Sequence, residues 1–580
     1  MPEEHALTVA DALVRALGRL GVEHIFGLPG STEGPLLDAL EAPVGPQYML
    51  GLHENVVAAM ADGYARASGR LGVVSLHTSV GTGNSVSQVL NASVDRSPVL
   101  ALIGHKDARL NNRDGFCTVE DLPGMLRPFT KWSREVSDPR QAVEDLERAA
   151  RLATTSPRGP VALTITEDKA RVVLDDGAGD GGADEPASGS GRFGGYRPHR
   201  EGVLAAARAL SAAQRPLIIA GDGVSWTGAG ELLGQVAQAY GCAVLQEPRR
   251  SAARMNCSTA DPSFCGEYTG NHPAARTADL VLAVGARIFV EFEPMPASEL
   301  PEDAFFIHIH EDATELGKRY LPDLGLVATA REALEDLLDA AGPADDRPSE
   351  PPTWVAELRA GFLQRREDIA PRPSPGDELS VAAASRILDQ ELPADVVLFD
   401  EGVRSSRVLM QHFSVPASRA YHRNTGGAIG WGLPAAIGAQ IACPDRPVAL
   451  FVGDGSALLT IQALWTAAAY RVPVTVFIAN NRGYQAVQAA VEKHRGPGHQ
   501  GGSPAAVGAV IDEPAPDFVR LAEGFGVGGC SVRTGEELRR VLKEIDWRSD
   551  SASGGRRAPR VIELVLSTGE LVGAGAAPAG

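Results

Sequence analysis

The chain has 580 residues, 44% of them hydrophobic, enough for several domains with packed cores. Its formal net charge of −19 argues against nucleic acid or an anionic membrane as a partner, since both reward an excess of Lys and Arg. Six scattered cysteines without a CxxC pair suit a reducing compartment. The N-terminus lacks an export signal, and the most apolar long run, 427–443, is broken by glycines and Pro434, so a cytoplasmic protein with no membrane partner is expected.

Thr8, with Asp11 three residues on, reads as an N-cap before a helix carrying Val9, Leu13, Leu17 and Leu20 on one face and ending at Gly21. A strand over 22–26 leads into the loop Gly27-Leu28-Pro29-Gly30-Ser31-Thr32-Glu33. His53-Glu54-Asn55 opens a helix, and a strand over 72–77 enters a Gly-rich turn, TSVGTGNS, before another helix and a strand over 98–104. Residues 175–200 are rich in Gly, Asp, Ala and Ser and read as a linker. A middle α/β unit has strands over 216–220, 242–246, 280–284 and 305–310. Its Gly221-Asp222-Gly223 turn points only weakly to a nucleotide. A Pro-rich connection over 343–378 follows, and the tail GAGAAPAG is expected to be disordered.

The stretch 448–485 carries the most chemistry. A continuous apolar run over 448–452 reads as a strand buried on both faces and ends at Gly453-Asp454-Gly455-Ser456. A helix-spaced segment with Leu459, Leu464 and Trp465 leads to a second strand over 474–479, ending at Asn480-Asn481-Arg482-Gly483. Strand, helix and strand make a right-handed crossover, so both polar tips emerge at one sheet edge, where open α/β sheets bind ligands. On adjacent strands, about 5 Å apart, Asp454 and Asn481 would offer two oxygens to a hard cation such as Mg²⁺, which takes further ligands from a phosphate-bearing partner. Either tip alone is equally an ordinary turn; the two together, 27 positions apart, are far more specific.

From GDG to NN at this spacing the sequence resembles the thiamine diphosphate enzymes. The resemblance implies an α/β fold of three doubly wound parallel-sheet domains: a pyrimidine-binding domain over 1–174, a central domain over 201–342 and a diphosphate-binding domain over 379–568, with linkers at 175–200 and 343–378 and a tail at 569–580. It implies that Asp454, Asn481 and the Gly483 carbonyl hold Mg²⁺, with Gly455 and Ser456 beside the diphosphate. Within the family segment Gly426-Gly427-Ala428-Ile429-Gly430-Trp431-Gly432-Leu433-Pro434, Gly427 would offer its carbonyl to the aminopyrimidine and Ile429 would hold the cofactor bent. Glu54 would be the carboxylate that activates the ring, its apolar neighbours Val56, Val57, Ala58 and Met60 favouring proton sharing; a helix start favours Glu on other grounds too. Some relatives carry FAD in the central domain, which nothing here demands.

Within the family the chain is most like the benzoylformate decarboxylases, through FGLPGSTE, SLHTSVGTGNS, FTKWS, GLPAAIGAQIA, GDGS and ALWTAAAY. That likeness carries over Ser31 as a contact of the substrate carboxylate and His77 as a proton-transfer residue. It also departs from them. The middle-domain segment 285–293 has no His, and Phe292 stands near its place. The diphosphate loop, Asp400-Glu401-Gly402-Val403-Arg404-Ser405, places Arg404 where hydroxyl residues are usual, either to pair with the diphosphate or equally to stand in solvent. The Gly-rich stretch 493–511, with His494 and His499, reads as a lid, and Val487 beside Tyr484 would help shape an apolar pocket.

The expected activity is non-oxidative decarboxylation of a 2-oxo acid, aryl or branched, with thiamine diphosphate and Mg²⁺. The missing His leaves an acetolactate-synthase-like carboligase as the alternative. A non-catalytic, partner-binding paralogue is a third reading, which the presence of Glu54, Asp454 and Asn481 opposes. Because the family builds each site from two subunits, the resemblance implies a homodimer or a dimer of dimers.

Overall fold

The computed structural model describes the chain outside residues 1–6, 43–44, 112, 175–194, 293–298, 344, 346, 370–376, 497–505, 549–556 and 568–580. Its frame is three six-stranded parallel sheets. The first holds β1 (His24–Gly27), β2 (Gln47–Leu50), β3 (Gly72–His77), β4 (Val99–His105), β5 (Trp132–Glu135) and β6 (Val161–Thr166), in the order β2-β1-β3-β4-β6-β5. The second holds β7 (Pro216–Ala220), β8 (Ala243–Gln246), β9 (Phe264–Glu267), β10 (Leu280–Val284), β11 (Phe305–His310) and β12 (Leu324–Val327), in the order β12-β11-β10-β7-β8-β9. The third holds β13 (Val397–Glu401), β14 (Ala420–Arg423), β15 (Val448–Gly453), β16 (Thr475–Asn480), β17 (Gly528–Val532) and β18 (Arg560–Val565), in the order β14-β13-β15-β16-β18-β17. Central strands such as β4, β7, β10 and β13 are buried along their whole length, as continuous apolar runs in helix-covered parallel sheets should be. The first and third sheets share one strand order, and each reverses direction between its first and third strands, which opens a crevice at β1/β3 and at β13/β15.

A buried crossing joins the first and third sheets. The Glu54–Ser68 helix meets the Gly432–Ala442 helix at two glycines: a Cβ on Gly63 would lie 2.0 Å from the Ala435 carbonyl oxygen, and one on Gly438 would lie 2.0 Å from that of Met60. Val57, Met60, Leu433 and Ile437 belong to one apolar core there. Beside it the buried Arg66 guanidinium pairs with Asp62 at 2.9 Å and Asp95 at 2.7 Å, while Trp431 Nε1 donates to Asp62 at 2.6 Å. Such a network, satisfied on every side, fixes how the two units meet more than it adds stability.

Three stretches differ from expectation. TSVGTGNS is not a turn: it forms the first turns of the Thr78–Val94 helix, where Thr82 and Ser85 hydroxyls bond back to the Thr78 and Thr82 carbonyls at 2.6 and 2.8 Å. The segment after Asp454 is two helices, Asp454–Leu459 and Ala463–Ala469, parted where Thr460 Oγ1 bonds the Gly430 carbonyl at 3.0 Å. The expected connection over 343–378 carries a helix, Thr353–Asp368, that packs on β9: Val355 is fully buried and Arg359 donates to the Phe264 and Thr259 carbonyls. Most of the expected linker, 175–194, the tail and His499 lie outside the described residues. All six cysteines are free. Among the described residues no helix is long and apolar enough to cross a membrane.

Candidate active site

The third sheet's crevice gathers oxygen atoms. β15 and β16 are adjacent, with Gly453 opposite Ala479, so Asp454 and the Asn480-Asn481 pair leave the sheet side by side. Asp454 is buried; its Oδ1 accepts the Gly455 N–H and its Oδ2 the Gly483 N–H, both at 2.9 Å. Burial nevertheless pushes its carboxyl up to about 6, against those backbone bonds. The two asparagines differ. Asn480 is occupied, donating to Glu563 at 2.7 Å and accepting the Arg482 N–H at 3.1 Å, whereas Asn481 Oδ1 is buried and has no hydrogen-bond partner. The Gly483 carbonyl accepts the Gln485 N–H at 3.1 Å, which leaves a second lone pair. Among the described residues no cluster of three His, Cys, Asp or Glu exists that could hold a metal, so any ion here relies on amide and carbonyl oxygens beside one acid.

Ser456 is buried in the first turn after Asp454, and Gly455 lies under the Tyr484 ring, which a Cβ would meet at 2.4 Å. After β13, Arg404 immediately precedes the Ser405–His412 helix. Ser405 Oγ at that helix start is a second buried polar atom without a partner. The sequence reading includes Ser405 in this loop but gives its hydroxyl no role.

The 424–430 loop is pinned to the first domain: Asn91 Nδ2 and Asn424 Nδ2 donate to the Ala428 carbonyl at 2.9 and 2.7 Å. That holds Gly427, at φ +84°, exposed beside the half-buried Ile429. Among the described residues nothing bonds the Gly427 carbonyl.

The first sheet's crevice gathers groups that move protons. Glu54 opens its helix after His53, whose Nδ1 accepts the Asn55 N–H, and is buried. Its Oε2 accepts Asn84 Nδ2 at 3.0 Å, and it lies against Gly81, whose missing side chain makes the room. His77 ends β3, with Nδ1 2.8 Å from Thr32 Oγ1 and 3.1 Å from Glu33 Oε2. Glu33 in turn accepts Thr32 Oγ1 at 2.6 Å and the Gly30 N–H at 2.7 Å. A carboxylate only accepts, so Glu33 places the proton on Nδ1 and leaves Nε2 open. Thr32 and Glu33 were not singled out in the sequence, although both lie in FGLPGSTE. Ser31, exposed at the rim, accepts Lys106 Nζ at 2.9 Å.

Both crevices hold strained backbone. Thr78 after His77, Val403 after β13 and Arg482 after Asn481 have φ of +46°, +52° and +61°, costly for non-glycine residues and above all for β-branched ones. The middle sheet's crevice is closed by its own chain, since a Cβ on Gly221 would lie 2.3 Å from Ala286 Cα. Phe292 is 88% exposed and Val487 46% exposed, so neither shapes an enclosed pocket within the single chain. His494 lies in the last turn of the Gln485–Arg495 helix, which has no buried residue. Among the described residues no hydrogen bond links Glu54 to Asp454, Asn481 or the 426–430 segment.

Comparison with known proteins gives these features a family context. Models of the thiamine pyrophosphate enzymes match residues 7–125 (N-terminal TPP binding domain), 203–337 (central domain) and 403–553 (C-terminal TPP binding domain). Benzoylformate decarboxylase of Pseudomonas aeruginosa is 30% identical over 550 residues, covering 92% of this chain and 96% of that protein. A probable acetolactate synthase large subunit of Methanocaldococcus jannaschii is 30% identical over 587 residues, covering 97% of this chain and 92% of that one. Among solved structures, a thiamine diphosphate-dependent 4-hydroxybenzoylformate decarboxylase of Rhodococcus jostii RHA1 superposes with a TM-score of 0.83 at 28% identity, covering 97% of this chain and all of the other.

Proposed function

The chain belongs to the thiamine pyrophosphate enzymes, a family of 2-oxo acid decarboxylases and carboligases, and from that premise we propose that it decarboxylates a 2-oxo acid with thiamine diphosphate and Mg²⁺ in sites shared between two copies. The observation that carries this reading is Asn481 Oδ1, a buried acceptor without a partner, just past the end of the strand that neighbours the one leading into the buried Asp454 carboxylate. An acceptor left in that state costs about 1–3 kcal/mol, and an oxygen-coordinated Mg²⁺ would relieve it.

Asp454, Asn481 and the Gly483 carbonyl would hold the ion. Ser405 Oγ, Ser456, the Gly455 backbone and Arg404 would hold the diphosphate. The Gly427 carbonyl would orient the aminopyrimidine, with Ile429 beneath the bend. Bound there, thiamine diphosphate supplies the electron sink that lets a 2-oxo acid lose CO₂.

The chain's own groups then position substrate and move protons. Glu54 gives one oxygen to Asn84 and keeps Oε1 for a ring nitrogen; its hydrogen bonding stays inside its own domain, so a second copy would bring it to the cofactor. His77, held by Glu33 through Nδ1, presents Nε2 as the atom that takes up a proton and, once the ring carries that second proton, returns it at the edge that also carries Ser31. The likeness to benzoylformate decarboxylases supports an aryl or branched substrate, which Tyr484 and Val487 would flank once a second copy encloses them.

One observation favours carboligation as a second reading: segment 285–293 supplies no second His, and a probable acetolactate synthase large subunit matches the chain equally well in identity. A screen of aryl and branched 2-oxo acids with thiamine diphosphate and Mg²⁺, followed by product analysis, separates the two. CO₂ with aldehyde is the expected result; a 2-hydroxyketone would favour the second reading, and no CO₂ from any acid would contradict both.

A further inference from the structure

Lys106 stands directly after β4, beside the Ser31 and His77 edge, and has no part in the chemistry described so far. The strand order places β1, β3 and β4 side by side, so the ends that carry Ser31, His77 and Lys106 share one rim. Lys106 is half-buried, donates to Ser31 Oγ at 2.9 Å, and among the described residues forms no ion pair. Nearby, Arg109 pairs with Asp107 at 2.5 Å and Lys169 with Glu135 at 2.8 Å. Of the acids around this edge, Glu33 already serves Gly30, Thr32 and His77, and Asp168 accepts the Ala108 N–H at 2.9 Å. Among the described residues Lys106 is thus an unpaired positive charge beside the hydroxyl assigned to the substrate.

Which anion that charge should meet follows from the reaction. Decarboxylation removes the charge of the leaving carboxylate, so an ammonium held directly on that group would stabilise the ground state more than the transition state and slow the step. A hydroxyl on the leaving group with the ammonium one bond further out avoids that penalty and leaves the ammonium for an anion that survives the reaction. The geometry points to Lys106 as a specificity-determining residue that selects 2-oxo acids carrying a second carboxylate on the side chain. This rests on the decarboxylase reading and narrows its substrate class.

The test compares matched substrate pairs on the holoenzyme: 2-oxoglutarate against its neutral isostere 5-methyl-2-oxohexanoate, and 4-carboxybenzoylformate against 4-nitrobenzoylformate. In at least one pair the wild type should favour the acidic member in kcat/KM. Lys106→Met should cut that preference by roughly ten- to hundredfold, the range of a charge-assisted hydrogen bond, while Lys106→Arg keeps most of it. The loss should fall mainly on KM. An acid-to-neutral ratio unchanged by Lys106→Met, with turnover intact, would overturn this inference and leave the decarboxylase reading standing. Absence of turnover for every acid would overturn both.

Discussion

The first and third sheets have the same strand order and the same crevice, yet their edges hold opposite chemistry. At the first, Glu33, Thr32 and His77 bond one another and Glu54 accepts Asn84, with the Thr78 hydroxyl left without a partner. At the third, acceptors and hydroxyls are left open, Asn481 Oδ1 and Ser405 Oγ among them, around an acid whose burial works against its charge. One wound sheet thus supplies a place for ligands, and a few loop residues decide whether that place handles protons or grips a cation. The middle sheet marks the other extreme. A buried acid there, Glu247, accepts the Arg287 and Ile288 N–H groups at 2.9 and 3.1 Å.

Substitutions at the two edges should fail in different ways. Glu54→Gln should lower kcat by roughly 10²–10⁴, the usual worth of a positioned proton-transfer group, while leaving cofactor affinity nearly intact. Equal rates would remove Glu54 from the mechanism. Asp454→Asn should instead weaken Mg²⁺-dependent binding of thiamine diphosphate by about a hundredfold, read by titrating the cofactor fluorimetrically, since a neutral amide replaces the anionic ligand of a hard cation. Binding unchanged by that substitution would move the cation site elsewhere.

The glycine crossing holds the two edges in their relative positions, and Gly438→Ala should show it. A Cβ set 2.0 Å from the Met60 carbonyl oxygen forces the helices apart, at about 3 kcal/mol in denaturant unfolding. The smallest effect belongs to the middle sheet. Burial pushes the Glu247 carboxyl up to about 8, so the folded chain binds more protons than the unfolded one between the ordinary glutamate range and about 8. Stability should therefore fall as pH rises through that window. Glu247→Gln should flatten the fall by on the order of 1–2 kcal/mol, measured as the melting temperature of the cofactor-free protein from pH 5 to pH 8. An unchanged slope would show that the wild-type acid does not retain its proton.

The sequence made the strands and the third edge legible because continuous apolar runs such as 448–452 permit little except a buried strand, and each ends on a polar cluster. It misjudged TSVGTGNS because glycine and hydroxyl residues favour turns in isolation; only packing against Glu54 and the back-bonded hydroxyls makes them helical. The Thr353–Asp368 helix was hidden between prolines with Val355 alone fully buried, so periodicity gave no sign of it. Glu33 lies 44 residues from His77 and Ser31 lies 75 from Lys106, and their meeting follows from strand order, which spacing along the chain does not reveal.

The central claim is that each site joins the proton-handling edge of one copy to the cation-gripping edge of another. Co-expressing Glu54→Gln chains with Asp454→Asn chains tests it most directly, because a mixed dimer would then contain one site with both native groups. Random pairing should restore about a quarter of wild-type turnover from two inactive parents. Mixed preparations as inactive as either parent would contradict the claim.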